Sequence, residues 1–336
     1  MTTEQAGPPL VSICCATYNH EKYLAQALES FLMQKVNFPI EIVVGEDCST
    51  DGTPQIVREY AERFPGLVKV ITSDANVGAV PNALGIWAAA RGKYIALCEG
   101  DDYWTDPQKL QKQVDFLEQN PDFTISGHWV KVVDDSGAPV EWNGGTGEDC
   151  PEVFGVKDAI GGTPLHMNSW VFRTSALRAI PPEKMALVSR LPAHDDPVLL
   201  LLLVQGKGRC IPETMGVWCI HSGSYWTSRS RLNRQFALLR FYYSVPKFLG
   251  SELERAYHDA IIRQVETGEK RVARAAVHGS GVFATFRLLR MMKNSEQVPS
   301  GRIPIMLGRV ARQAAAAAAI YPRVLGDRAL HSMGLR

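Results

Sequence analysis

Val11-Ser12-Ile13-Cys14-Cys15-Ala16-Thr17-Tyr18-Asn19 sets the pattern on which the fold rests: a short run, apolar except for Ser12, that stops at a polar tip. Such a run reads as a buried strand, because a strand covered on both faces loses the apolar/polar alternation. The design returns three times. Residues 40–44 run into Gly45-Glu46-Asp47-Cys48-Ser49-Thr50-Asp51-Gly52-Thr53, 68–71 form a third run, and 94–98 lead into Glu99-Gly100-Asp101-Asp102. Between them, 21–33, 55–64 and 80–91 carry apolar residues at helical spacing, in the first case Leu24, Ala27, Leu28, Phe31 and Leu32. This alternation predicts an α/β fold, a Rossmann-like, mainly parallel sheet with flanking helices. Ligands of such sheets bind beyond the carboxyl ends of the strands, and the polar tips fall there.

Farther along, the spacing predicts a helix over 107–119, a hairpin and loop over 134–147, a strand-like 169–172 and a very apolar helix over 197–204. Beyond residue 225 the chain turns basic and helical, with Gly250, Pro299 and Pro304 as breakers.

The 336 residues, 46% of them hydrophobic, suffice for a large core. A formal charge of +1 gives no reason to expect nucleic acid as a partner. That balance hides an asymmetry: residues 251–336 hold 14 Lys/Arg against 7 Asp/Glu, so the preceding chain carries −6. Seven scattered cysteines without a CxxC pair indicate neither a disulfide framework nor a zinc site, and fit a reducing, cytoplasmic setting. The opening MTTEQAGPPL has no basic or apolar segment of a signal peptide, and the longest apolar runs, 198–204 and 314–321, are too short to span a bilayer. Membrane contact is therefore expected to be peripheral.

Four constellations carry chemistry. Glu99-Gly100-Asp101-Asp102 crowds carboxylates on one turn, which is costly in a sheltered site unless a cation compensates. Mg²⁺ or Mn²⁺ suits such oxygens and bridges diphosphates. The plainer reading is a solvated acidic turn, and the preceding buried strand with Tyr103-Trp104 behind it favours the metal. In the second, Asp47 is placed to accept from a base or ribose, while Ser49, Thr50 or Asp51 caps the next helix. In the third, His194-Asp195-Asp196-Pro197, an aspartate at a helix start serves equally as a general base or as an ordinary cap. The fourth runs from Val217 to Trp226, where His221 could join a metal shell and Trp226 could stack on a sugar.

Together these segments resemble glycosyltransferase family 2, of the GT-A type, in particular bacterial members with a Glu-Gly-Asp-Asp-Tyr-Trp metal motif. The matching pieces are Val11 to Asn19, Glu41 to Thr53, Asn76-Val77-Gly78, Ala90 to Trp104 and Lys109 to Gln113. Five ordered motifs count together, although each is weak alone. The resemblance implies a glycosyltransferase domain over 1–228, with a donor half at about 10–125 and an acceptor half at 126–228, followed by a basic helical region over 229–336. It implies a nucleotide-diphospho-sugar donor, a divalent metal (Mn²⁺ or Mg²⁺), and inverting transfer to a saccharide or lipid-linked saccharide acceptor. Its donor-side residues would be Thr17, Tyr18, Asn19, Asp47, Ser49, Asn76, Asp101 and Asp102, with Asp101, Glu99 and His221 at the metal. Asp195 falls on the family's base position, with Asp196 where the family has Trp. His166, Ser169, Asp196 and Trp226 would face the acceptor.

Two rivals stay in view. A sugar nucleotidyltransferase would want a Gly-rich basic loop after the first strand, and Thr17-Tyr18-Asn19-His20-Glu21 is neither. A non-catalytic nucleotide-sugar or glycan-binding module would not need Asp101 and Asp195. The basic tail (Arg287, Arg290, Lys293, Arg302, Arg309, Arg312, Arg323, Arg328) suits an anionic membrane surface, or else a helical hairpin packed on the domain or on a second subunit.

Overall fold

The computed structural model describes residues 7–142, 145–162, 164–278, 288, 290–292 and 294–320, without the side chains of 314–320. Arg287, Lys293, Arg323 and Arg328 of the basic tail lie outside the described residues. The chain divides into two units, Met1–Ser228 and Arg229–Arg336.

In the first unit the apolar runs become strands β1 (Val11–Thr17), β2 (Ile40–Glu46), β3 (Val68–Thr72) and β4 (Tyr94–Leu97). They pair in parallel in the order β3-β2-β1-β4. Helices α1 (Leu24–Leu32), α2 (Thr53–Arg63) and α3 (Ala79–Ala89) make the crossovers. Burial explains the pattern. In α1 the buried positions include Leu24, Ala27, Leu28, Phe31 and Leu32, the stripe that packs into the main core with Val11, Ile13, Ile42 and Val44. The connection from α3 into β4 is tied to the sheet by a buried carboxylate. Glu41 Oε1 accepts from Ser12 Oγ (2.6 Å) and the Arg91 N–H (2.8 Å), and Arg91 Nε donates to Oε2 (2.8 Å). These bonds hold Glu41 below the ordinary carboxylate range although burial pushes it up.

Beyond β4 come β5 (Tyr103–Trp104), α4 (Lys109–Gln119), β6 (Phe123–Asp134), β7 (Val153–Phe154), α5 (Val156–Gly161), a 3-10 turn (Met167–Ser169) and β8 (Val171–Arg173). They are followed by α6 (Thr174–Arg178), α7 (Pro182–Val188), α8 (Asp195–Leu203) and β9 (Lys207–Ile220). β8 adds to β4 antiparallel, β6 to β8 antiparallel, and β9 runs parallel along β6, giving a nine-stranded, mainly parallel sheet. The expected hairpin after residue 134 forms as a tight turn. Asp134 Oδ1 accepts from the Ser136 N–H (2.9 Å) and the Ala138 N–H (3.1 Å).

The second unit is helical: α9 (Arg231–Leu249), α10 (Ser251–Ala256), α11 (His258–His278) and a last helix, Arg302–Ile320. Gly250 separates α9 from α10 at φ 82, a left-handed conformation suited to glycine. Pro304 is no breaker. It sits in the first turn of the last helix, where a missing N–H costs nothing. Arg302 and Arg309 point inward to the buried Glu269, at 2.7 Å and 3.1 Å, so neither belongs to a lipid-facing surface. No helix among the described residues is long and apolar enough to cross a membrane.

Candidate active site

The ends of β1, β2 and β4 are laced together by polar side chains. Asn19, left-handed at φ 55, accepts the Thr50 N–H through Oδ1 (2.8 Å), and its own N–H donates to Ser49 Oγ (3.0 Å). The His20 N–H donates to Thr53 Oγ1 (2.8 Å). Asp51 Oδ1 accepts from the Thr53 N–H (3.0 Å) at the start of α2, whereas Ser49 is used as a brace between loops. Tyr18 stands free at the tip, 41% exposed.

Asp47 is engaged within the protein. It is 2% exposed, and its carboxylate accepts the Val77 N–H (2.7 Å) and the Gly78 N–H (2.9 Å). Asn76 Nδ2 donates to the Asp47 carbonyl (3.1 Å). Asp47 and Asn76 thus shape the loop before α3.

At the end of β4 the three carboxylates take three directions. Gly100 permits this: a Cβ there would lie 2.7 Å from Thr17 Oγ1 and 3.0 Å from His20 Nδ1. Asp101 Oδ2 meets His221 Nε2 at 3.0 Å and His20 Nε2 at 3.8 Å. Burial raises Asp101, but His20 and His221 outweigh it and hold the group below its ordinary value. Asp102 turns inward, 2% exposed, accepting the Cys219 N–H (2.9 Å) and Asn168 Nδ2 (3.1 Å). These bonds brace the turn from within. Burial, with Asp101 and Asp195 nearby, pushes Glu99 up to about 8, so it is mostly protonated at neutral pH.

His221 arrives from the end of β9, about 120 residues from Asp101 in sequence. Tyr23 packs against its ring at 4.4 Å and donates its hydroxyl to Asp135. Among the described residues, the set able to hold a metal ion is His20, Asp101 and His221, whose ligand atoms lie within 4.8 Å of one another. Two imidazole nitrogens and one carboxylate fit a divalent transition ion. Glu99, expected as a ligand, is not in this set, and His20, which the sequence reading passed over, takes its place. Its signal was only a histidine one residue beyond the tip of β1.

On the acceptor side, Asp195 and Asp196 occupy the first turn of α8, where the helix dipole favours acidic residues. Burial and Asp195 push Asp196 well up. His166 stacks on Trp218 (4.4 Å, 23°), with Trp142 edge-on to Trp218 (4.8 Å, 76°). Burial drives His166 down to about 4, so it is neutral. Asp195 and Asp101 both oppose that shift, as neighbouring charges do. Ser169 is 0% exposed, and its hydroxyl donates to the His166 carbonyl (2.7 Å), so it closes the 3-10 turn. Trp226 lies half-buried after β9. Beside it Tyr225, also missed, donates its hydroxyl to the Pro192 carbonyl (2.6 Å), tying this loop to the segment before α8.

Residues 12–147 match the profile described as Glycosyl transferase family 2. An uncharacterized protein of Mycobacterium tuberculosis is 35% identical over 236 residues, 67% of this chain and 63% of the relative. The chain thus spans less than two thirds of that relative's length. The putative teichuronic acid biosynthesis glycosyltransferase TuaG of Bacillus subtilis is 32% identical over 134 residues, 40% of this chain and 51% of the relative. Among solved structures, S. aureus TarS 1-349 in complex with UDP-GlcNAc superposes with a TM-score of 0.56 at 17% identity, covering 90% of this chain and 80% of that TarS 1-349 chain. That likeness concerns the fold. With the profile match, it leads to one assignment: residues 12–147 form a glycosyltransferase family 2 domain, and the chain has the GT-A fold.

Proposed function

We propose that this protein transfers a sugar from a nucleotide-diphospho-sugar to a hydroxyl of a saccharide or lipid-linked saccharide, with inversion, in cell-surface glycan synthesis. The carrying observation is the meeting of Asp101, His20 and His221 at the ends of β4, β1 and β9, with Glu99 feeling both Asp101 and Asp195. A cation-holding group and a candidate base thus border one carboxyl group. The TarS complex supports a UDP-linked donor and TuaG supports a surface-polymer acceptor, each by analogy.

In this reading Tyr18 offers its exposed ring to the base, and Asp47 acts through the 76–78 loop that it shapes. Asp101 and His221 would hold a dication, which would supply compensation for the negative charge of the nucleoside diphosphate. Asp195, fixed at the start of α8, takes the proton of the attacking hydroxyl. His166, being neutral, can hydrogen-bond an acceptor without repelling a cation. For the C-terminal unit we infer peripheral contact with anionic lipid through its exposed basic residues, such as Arg263, Lys270 and Arg271.

Nucleoside diphosphate release measured with candidate donors and Mn²⁺ tests the reading. Asp195→Asn should cut release by roughly 10²–10⁴-fold while calorimetric donor affinity stays the same. Near-normal turnover in that variant refutes the assignment of the base, and no release from any donor favours the binding-module alternative.

A further inference from the structure

We propose that Cys150 and Cys210 form a reversible modification site, at which an uncharged hydroperoxide converts the two thiols to a disulfide that fastens residues 145–152 to β9. Neither residue belongs to the site described above, and the proposal does not depend on the transferase reading.

Position carries it. The Cys150 N–H donates to the Gly147 carbonyl (2.9 Å), and Cys210 Sγ lies 3.7 Å from the same oxygen. The Cys210 N–H donates to the Glu152 carbonyl (2.8 Å), continuing the antiparallel pairing of Val153 with Arg209. The two thiols meet in a hydrogen bond. That bond, ahead of the Trp129 indole and the Arg209 guanidinium, holds Cys210 below the ordinary thiol range although burial and Glu152 push it up. The same bond raises Cys150. The pair thus shares one proton, and its first ionisation belongs to both sulfurs. Access divides them. Cys210 is 1% exposed, whereas Cys150 is half-buried among the exposed Glu148, Asp149, Pro151 and Glu152. Those three carboxylates turn away an anionic disulfide reagent and leave a small neutral peroxide as the oxidant that fits. Of the other cysteines, Cys14, Cys15, Cys98 and Cys219 are buried, and Cys48 lies on the loop after β2.

The steps balance. After the pair has released one proton to solvent, the shared proton passes to Cys210 and frees the Cys150 thiolate. Cys150 Sγ attacks the peroxide: an S–O bond forms, the O–O bond breaks, and the alkoxide takes a solvent proton and leaves as the alcohol. Cys210 Sγ then attacks Cys150 Sγ: the S–S bond forms, the S–O bond breaks, and hydroxide leaves with the Cys210 proton as water. Each sulfur gives up one electron and the peroxide gains two. A thiol reductant reverses the link at the more accessible sulfur, Cys150, as suits a transient disulfide in a reducing setting. The link closes a loop of about sixty residues and so removes freedom from the unfolded chain.

The test uses the full chain, reduced, freed of reductant and treated with a small excess of tert-butyl hydroperoxide. Thiol titration should show two of the seven thiols lost. Peptide mapping should find Cys150 joined to Cys210, and dithiothreitol should restore the starting mass. Cys210→Ser should stop at an oxygenated Cys150, and Cys150→Ser should leave Cys210 unreacted. Followed by tryptophan fluorescence, the cross-linked protein should melt roughly 5 °C or more above the reduced one. A different linkage, a mixture of linkages or a full set of intact thiols overturns the proposal, as does an unchanged melting midpoint in fully cross-linked protein. If a serine variant fails to fold, the wild-type peptide map still decides.

Discussion

Replacing Lys109 by methionine should stabilise the N-terminal unit at neutral pH and remove a pH dependence from it. Lys109 opens α4 at 0% exposure, its Nζ 4.0 Å from the centre of the Trp104 ring and without a hydrogen-bond partner. Burial drives it from 10.5 down to about 7. At about 1.36 kcal/mol per pH unit, this depression costs the fold roughly 4 kcal/mol at neutral pH relative to a neutral side chain. Methionine keeps the length and the contact with Trp104 but gives up a cation–π attraction of about 2 kcal/mol. The net gain at pH 7 is then about 2 kcal/mol.

The sign with pH follows from proton counts. Between about 7 and 10.5 the unfolded chain binds more protons at this lysine than the folded one, so the lysine's cost shrinks as pH rises. Below 7 both states are protonated and the cost is constant. The thiols of Cys14, Cys15 and Cys98, raised by burial, act in the opposite sense at higher pH, so the quantity to compare is wild type minus variant. All seven tryptophans precede residue 229, which makes their fluorescence a reporter of this unit alone. Urea unfolding at pH 7.0 and 8.5 should show the variant's advantage shrinking by roughly 1.5 kcal/mol. An advantage that does not change with pH, or a variant less stable than wild type at pH 7, would refute the reasoning.

Glu269→Gln should destabilise the C-terminal unit by about 3–5 kcal/mol, because it leaves Arg302 and Arg309 facing an uncharged buried partner. Far-UV circular dichroism during denaturation is the measurement, since no tryptophan lies there. Gly100→Ala should weaken Mn²⁺ binding by at least about tenfold, because its Cβ would push on Thr17 and His20. Unaltered affinity in calorimetry would show that the turn yields freely. In vesicle flotation at low salt, the full chain should rise with anionic but not with zwitterionic lipid and detach as salt screens the charges. Equal recovery with both lipids removes the membrane reading.

The chain's local chemistry carried much of this without coordinates. The apolar runs of β1, β2, β3 and β4 and the stripe of α1 are dictated by burial at short range, so the parallel α/β core could be read directly. So could the acidic turn at a strand end and the helix that begins at Asp195. β6 and most of β9 escaped that reading. Register shifts interrupt β6 near Phe123 and His128, and β9 contains Pro212 and two glycines, so neither keeps a clean period of two.

What only tertiary structure decided is where each polar side chain ended. Glu99, Asp101 and Asp102 are neighbours of one chemical type, yet one is held protonated among acids, one meets two histidines and one is sealed inside against Cys219 and Asn168. His20 and His221 are about two hundred residues apart, and no local pattern joins them. Hydrophobic periodicity reports which face of an element is covered. The fate of a polar group depends on what other elements bring against it, and that information is distributed over the whole chain.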